Sequence, residues 1–433
     1  MMSSSVRSFR SRPAARAGLL ALLGSAVLGT GVVAVPAPAA ADPGVAERVT
    51  LSPTATPATS QTVTWRTATG VSVSHLEYGA VSGGATVTVE GSSTGTAGGG
   101  RYHVATLTGL TPATDYRYRI GDGTSWSDWF EFTTASATAE PFTFLYLGDV
   151  QNDITGGAAP TVRAAYAAAP DAALTVHSGD LVNSANSDSE WAEWYAAVGD
   201  ESATMNHITT PGNHEYSGWS LSGHWNRQFP GAGNGPGDDD LDDTVYYTDF
   251  QGVRFVVLNS NYRNAPWFDV TDWLEDQGHW LERVLADNPN RWTVVTFHHP
   301  VFANSPSRDN RSLRSEWLDI LEEYDVDLVL QGHDHSYGRG NLTAHRTDDP
   351  AVQTGPVYVV SVTGPKMYDV SDRNWTANGA EVRVQVADTQ TYQVVGVDND
   401  ELSYESRTLD GTLVDAFTIT KGADGDKRVT DRR

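Results

Sequence analysis

Cysteine is absent from the 433-residue chain, and lysine nearly so: Lys366, Lys421 and Lys427 are the only three. Without cysteine no disulfide can form, so stability must come from a packed core. Any metal site must then use His, Asp, Glu or Asn. That donor set favours borderline or hard metals. Positive charge is scarce as a whole: 29 Lys and Arg face 54 Asp and Glu, for a formal net charge of −25. Such a surface repels nucleic acid and anionic membranes, because phosphate contacts need Lys and Arg. An anionic substrate would need a strong local positive centre, which a metal cluster supplies. Core-forming material is not lacking, with 39% hydrophobic residues and 13 Trp. The length points to two or more domains.

Residues 1–41 contain Arg7, Arg10, Arg12 and Arg16 and no acid. The apolar run AGLLALLGSAVLGTGVVAV follows, then PAPAAADP with Ala39-x-Ala41. This reads as a secretory signal peptide cleaved after Ala41, leaving a secreted chain with no stable membrane insertion. The competing reading is a transmembrane anchor. Gly, Ser and Thr dilute the run, and the small residues beyond it favour cleavage. No arginine pair precedes the run, so nothing supports the twin-arginine route. Removal of four positive charges takes the net charge from −25 to −29.

Residues 42–137 form the first expected domain. QTVTWRT, HLEYGA, ATVTVEG, RYHVATLTGL, DYRYRIG and DWFEFTT alternate β-branched and aromatic residues between Gly-rich breaks, as in a β-sandwich. It has no cluster of reactive residues, and His75 and His103 read as structural. ASATAEP, 135–141, reads as a linker. From 142 to 421 apolar strands alternate with helical stretches. SLRSEWLDILEEYD places Leu313, Trp317, Ile320, Leu321 and Tyr324 at helical spacing, and DWLEDQGHWLERVLAD does so with Trp273, Trp280, Leu281, Val284 and Leu285. The fold class is α/β (α+β), with a largely buried sheet. EVRVQVAD, TYQVVGVD, ELSYESRTLDG and VDAFTITK are expected to add antiparallel strands to that sheet. Residues 422–433 read as a disordered charged tail. GDDDLDD, 237–243, lacks EF-hand spacing and reads as a solvated acidic loop.

The chemistry lies at strand ends. FTFLYLGDVQ delivers Asp149, and AALTVHSGDLVN delivers Asp180. HITTPGNHEY delivers Asn213 and His214, TVVTFHHPVF delivers His298 and His299, and LVLQGHDH delivers His333 and His335. Five times an apolar run stops and metal-capable side chains begin. Strand ends at the carboxyl edge of an α/β sheet converge on one crevice. In four of the five a Gly precedes the reactive residue, allowing close backbone approach. Alone, each is the kind of Asp or His that caps a turn; as an ordered set they point to one site. In extended backbone an HxH pair places both imidazoles on one face.

This series, GD, GD, GNHE, a separate His and GHxH, resembles the calcineurin-like metallophosphoesterases over roughly residues 142–345. The sandwich before it and the β-rich tail behind it resemble the purple acid phosphatase arrangement. The stretch LTGLTPATDYRYRI, with Leu110, Pro112, Thr114 and Tyr116, resembles the fibronectin type III tyrosine corner. The resemblance implies a metallophosphoesterase sandwich of mixed sheets flanked by helices, preceded by an all-β fibronectin type III-like sandwich. It implies two metal ions, divalent or mixed-valence, of Fe, Zn or Mn. Asp180 would bridge them, Asp149 and His335 would hold the first, and Asn213, His298 and His333 the second. Asp334 would turn away. His214 would face the substrate and serve catalysis. Many relatives carry His where this chain has Gln151, which ligates or holds a water. Purple members carry a tyrosine where this chain has Asn183, so no tyrosinate–iron colour is expected. His299 is a ligand neighbour or a residue packed behind the ligands. Tyr262, Arg263, Tyr337 and Arg339 are candidate substrate contacts.

The implied reaction is hydrolysis of a small phosphoester, as in an acid phosphatase, by a metal-bound hydroxide, without a phosphoenzyme. A phosphodiesterase acting on nucleotides or lipid headgroups is the alternative, and loops 217–243 and 261–272 would decide between them. A non-catalytic secreted binding protein is the second alternative.

Overall fold

The computed structural model describes residues 46–265, 270–422 and 425–432. The expected signal peptide, 1–41, lies outside the described residues. Among those described, no helix is long and apolar enough to cross a membrane.

Two sheets face one another, each with helices on its outer side. The first contains the parallel strands Phe142–Leu147, Leu174–His177 and Asn206–Thr209 side by side. The second runs in the order Tyr246–Phe250, Val253–Val257, Trp292–Thr296, Leu328–Gln331, Val357–Val360, Tyr337–Leu342, Ala380–Val386. Successive side chains point to opposite faces and both faces are covered, so these strands read as unbroken apolar runs. Phe144 and Tyr146 face the opposite sheet, while Leu145 and Leu147 face the helices Ala159–Ala168 and Asp188–Val198. Likewise Val294, Leu328 and Leu330 point between the sheets. Val295 and Val329 pack under the helices Val270–Ala286 and Arg311–Glu323. Those helices bury the stripes read from the sequence, among them Trp273, Trp280, Leu313 and Trp317. The fold is therefore an α/β sandwich of mixed sheets.

The C-terminal strands divide, where one set had been expected. Ala380–Val386 closes the second sheet, whereas Thr391–Val397, Glu401–Thr408 and Leu413–Lys421 extend the first beyond Phe142–Leu147. The expected disordered tail is also corrected: Lys427–Asp431 is a strand paired with Leu413–Lys421. Its Asp431 and the buried Asp415 hold Arg339, at 2.9 Å from Nη2 and 2.6 Å from Nε. Tyr337 donates to the same Asp415 at 2.7 Å. Tyr337 and Arg339 thus lie buried between the sheets and are not substrate contacts, because strand Tyr337–Leu342 turns both toward the inter-sheet acids.

The N-terminal region has the expected short strands, in a four-stranded sheet and a portion of the first sheet. The strand Glu47–Ser52 pairs in parallel with Asn206–Thr209 through Leu51 and Asn206, making one continuous twelve-stranded sheet. The described residues form a single compact unit, and 135–141 is a packed connection: Ser136 N donates to Gln251 at 3.0 Å. Arg48 and Arg66 both reach Asp188, at 2.8 and 2.6 Å. Tyr116 accepts from Thr111 N at 2.9 Å, the backward bond of a tyrosine corner. Residues 237–243 form a surface loop in which Asp238 accepts from the backbone of Asp240 at 2.9 Å.

Two outcomes follow. Asp415→Ala leaves Arg339 a buried cation without its main partner, and urea denaturation should show a loss of about 3–5 kcal/mol. His103 is fully buried against Trp65, and burial, then Arg101, lowers its pKa to about 4. Its neutral form is the folded form, so its contribution is fully present above about pH 6.5 and is lost as pH falls toward 4. His103→Gln should flatten the stability–pH slope in that window by ~1.4 kcal/mol per pH unit, as one protonation is removed from the balance. Urea midpoints at pH 7, 5.5 and 4.5 test this.

Candidate metal centre

All five strand ends meet. The register aligns Leu147, His177 and Thr209 across the first sheet. Asp149, Asp180 and Asn213 therefore leave the same edge, two to four residues beyond it. In the second sheet Thr296 pairs with Leu330, which sets His298 level with Gly332. The convergence needs more than strand direction. Of the twelve described non-glycine residues with positive φ, four are Asp149, Asp180, His333 and His335, at 41°, 52°, 74° and 45°. Asp and His tolerate this left-handed region better than most residues, and such backbone concentrates at functional sites. The expectation for His333 and His335 is corrected here: the strand ends at Gln331, and two left-handed turns, not extended periodicity, bring the imidazoles together.

The preceding glycines make room. A Cβ on Gly179 would lie 2.6 Å from Gly212 N and 2.7 Å from His298 Nδ1, and one on Gly332 would strike the Asp149 carboxylate.

Two groups of three donors result, sharing Asp180: Asp180, His298 and His333, and Asp149, Asp180 and His335, each group within 4.8 Å. His298 Nε2 lies 3.3 Å from Asp180 Oδ2, 3.3 Å from Asn213 Oδ1 and 3.1 Å from His333 Nδ1. His335 Nε2 lies 3.5 Å from Asp149 Oδ1. Carbonyls fix the outward faces of two rings. His298 Nδ1 donates to Ser178 O at 2.8 Å and His335 Nδ1 to Lys366 O at 3.0 Å, leaving both Nε2 atoms turned inward. Asp334 turns away, as expected, accepting from Asn304 N at 2.5 Å and Ser305 N at 3.1 Å.

A metal pair fits these residues. Asp149 Oδ1 and Gln151 Oε1 are buried with no hydrogen-bond partner, which is costly unless something else satisfies them. The donors are nitrogen and oxygen, suited to Zn, Mn or Fe. Left to themselves the charges conflict. Burial, followed by the charge of Asp180, raises the Asp149 pKa to about 8, against the pull of His298. Asp180 stays low despite burial because His298 lies beside it. Burial opposes a charge on His298, yet Asp180 and Asp149 raise it to about 9. His333 falls well below its usual value through burial and then His299, and so is neutral, the ligand form.

The remaining candidates divide. Gln151 reaches the cluster, its Nε2 donating to Asp180 Oδ2 at 2.6 Å. Asn183 turns its side chain to Asn152, while its carbonyl accepts from His214 Nδ1 at 2.6 Å. His214 also donates its backbone N–H to Asp180 Oδ1 at 2.9 Å. His299 packs on His333 with ring centres 4.2 Å apart and hydrogen-bonds Ser260, a supporting position rather than a ligating one. Tyr262 stands edge-on to His299, and Arg263 is exposed, donating to Tyr262 and to Asp309 O.

Sequence reasoning missed Glu215. It is fully buried and accepts from four backbone N–H groups: Gly212 and Asp180 at 2.7 and 2.9 Å, Leu181 and Val182 at 2.8 and 3.3 Å. It ties the Asp180 turn to the Asn213 turn. The only signal was its place directly after His214, where an acid reads equally as solvent-facing.

Residues 46–134 match the family described as purple acid phosphatase, N-terminal domain, and residues 142–337 match calcineurin-like phosphoesterase. The fold and the shared-aspartate cluster agree with that match: residues 142–337 form a calcineurin-like phosphoesterase domain. Within that class the chain has the purple acid phosphatase arrangement, with that family's N-terminal domain in front. It is 26% identical over 269 residues to purple acid phosphatase 21 of Arabidopsis thaliana, covering 60% of this chain and 57% of that protein. It is 23% identical over 365 residues to the Arabidopsis thaliana protein named probable inactive purple acid phosphatase 1, covering 74% and 58%. The chain therefore spans less than two thirds of these relatives' lengths. In fold it is similar to purple acid phosphatase PPD1 from yellow lupin (Lupinus luteus) seeds, with TM-score 0.71, 18% identity, and 89% and 76% of the two chains covered.

Glu215→Gln puts an amide N–H among four donors. It should weaken metal binding by about 10–100-fold while the chain stays folded, as read by calorimetric metal titration alongside circular dichroism.

Proposed function

We propose that this chain is a secreted, metal-dependent phosphoesterase that hydrolyses small phosphomonoesters in the manner of an acid phosphatase. The observation that carries the reading is the pair of donor groups sharing Asp180. Asp149 and His335 would hold one cation, Asn213, His298 and His333 the other, and Asp180 both. When bound, divalent or mixed-valence Fe, Zn or Mn would supply Lewis acidity, bringing the pKa of water toward about 7.

The chain's own residues do the rest. His214 is half-buried at the rim, and its Nδ1–H is committed to the Asn183 carbonyl. Nε2 is left to meet the substrate, where in its protonated form it donates to a phosphoryl oxygen or to the departing alkoxide. Asp149 Oδ2 accepts from His333 N at 2.7 Å and Asp180 Oδ1 from His214 N, which fixes both carboxylates in the position from which they would hold the cations. Asn183 brings no phenolate, and its side chain bonds Asn152, so the metal-loaded protein should be colourless. Secretion rests on the charge and apolar pattern of residues 1–41.

Chelation should abolish hydrolysis of an aryl phosphate, and added Mn or Zn should restore it; turnover by a fully metal-free sample would reject the reading. Asp180→Asn should eliminate activity, and His214→Ala should lower kcat by about 10²–10⁴-fold. A diester substrate turned over faster than the monoester would redirect the proposal to a phosphodiesterase. Zero turnover in a fully loaded sample would favour a binding protein.

A further inference from the structure

Trp219 is the large apolar side chain left most in the open. It is 65% exposed, more than any other large hydrophobic residue among those described, whereas Trp225, six residues on, is fully buried. Its ring has no stacking partner and its N–H no acceptor among the described residues. An indole offers a broad flat face at a small cost in side-chain freedom, which suits it to contact a ligand. A loose loop does not account for the exposure. Tyr216 pairs with Leu221 and Ser217 with Ser220 in an antiparallel hairpin, which leaves Gly218 and Trp219 as a two-residue turn. Gly218 has φ 65° and Trp219 has no positive φ, the pattern of a type II′ turn with Gly at its first central position.

This hairpin is fixed at its base, flank and tip. At the base Ser222 N donates to Glu215 O at 2.9 Å. On the flank Asn259 Nδ2 donates to the Tyr216 hydroxyl at 2.8 Å, and at the tip Asn264 Nδ2 donates to Gly218 O at 2.8 Å. The two asparagines bracket Tyr262, which stands edge-on to His299. The hairpin thus rests on the loop beside His298 and His299. Its base continues directly from His214, whose backbone is held on Asp180. Four residues separate Trp219 from Glu215, a span of at most about 14 Å. The turn is therefore carried on the side of the cluster where His214, the candidate acid, would meet a leaving group.

Nearby charge discriminates between leaving groups. The loop 237–243 brings five aspartates, and the charge of Asp240, after burial, helps raise the pKa of Tyr216 in this hairpin. Arg263, the cation on the neighbouring loop, is turned to Tyr262 and to Asp309 O. A leaving group with its own negative charge is repelled there, while a neutral planar one gains apolar area against the indole.

We propose that Trp219 is a specificity-determining residue, its indole receiving the flat, uncharged leaving group of a phosphomonoester whose phosphoryl group lies at the cluster. The inference rests on the proposed phosphoesterase reading and deepens it. In the step it serves, water adds to phosphorus and the ester P–O bond breaks, with its electron pair on the aryl oxygen. His214 supplies the proton that completes the phenol and regains one from the water consumed.

The test compares phenyl phosphate with ethyl phosphate on the metal-loaded full chain. Trp219→Ala should lower the phenyl-over-ethyl ratio of kcat/KM by about 5–10-fold, mainly through KM. Trp219→Phe should keep the ratio within about threefold of wild type. An equal fall for both esters, or a ratio unchanged within about twofold, would overturn the assignment. Calorimetry with uncleavable phosphonates reads the contact without turnover. Wild type should bind benzylphosphonate at least about fivefold tighter than ethylphosphonate, and Trp219→Ala should erase the difference. A carboxylate added to the benzyl ring should weaken binding to wild type; tighter binding would overturn the preference for a neutral group. Absence of all turnover would sink the phosphoesterase reading, while the phosphonate difference would still report on Trp219.

Discussion

Two buried carboxylates, Asp149 and Asp180, stand at the ends of adjacent parallel strands, and the surrounding structure is arranged to tolerate them. Burial and mutual repulsion push Asp149 up to about 8, while the His298 imidazole, backbone donors and the Gln151 amide pull the pair the other way. An unpaired buried charge costs several kcal/mol. The arrangement resolves once cations take the place of protons, because each carboxylate then faces a charge of opposite sign. The unpartnered Asp149 Oδ1 and the inward Nε2 atoms of His298 and His335 are aimed at that outcome.

Such a cluster must be held by something that does not depend on the metal. Backbone does much of this. Asp149, Asp180, His333 and His335 sit in left-handed turns, which regular strands would not give. Glu215 gathers four N–H groups from the two central turns. Burial and Asp180 raise its pKa to about 8, against the pull of those donors. An acid that organises backbone in this way acts on the ligands only through their positions. His214 belongs to both systems, with its backbone on Asp180 and its ring steered by Asn183.

Much of this was legible in the sequence, for a physical reason. Strands buried on both faces read as apolar runs, and a run that stops at Gly followed by Asp or His marks a carboxyl edge. The order of the five stops therefore located Asp149, Asp180, Asn213, His298, His333 and His335 together. What failed depended on partners rather than on local pattern. Tyr337 and Arg339 follow a motif and looked available, but their strand faces Asp415 and Asp431, which lie about 80 and 90 residues later. The stretch KRVTD is short and charged, so only its pairing with Leu413–Lys421 identifies it as a strand. The division of the C-terminal strands between two sheets has the same origin, since alternation fixes a face and not a neighbour.

The N-terminal domain has a consequence for the cluster that its lack of reactive residues conceals. Asn206–Thr209, the strand that delivers Asn213 and His214, would be an edge strand if the first sheet ended with the strands of the second region. Edge strands carry unpaired backbone groups and are free to twist or slip. Pairing of Leu51 with Asn206 makes it an interior strand, and Gln61 fastens the join by donating to Asn206 Oδ1 at 2.8 Å. Asp188, on the helix beside that strand, is held by Arg48 and Arg66 from the other side of the boundary. A sandwich with no cluster of reactive residues thus fixes the position from which one candidate metal ligand, Asn213, and the candidate acid, His214, are presented. Because the two regions share one sheet, a change in the N-terminal strands would be felt first at Asn213 and His214, and only afterwards at Asp149 on the far side.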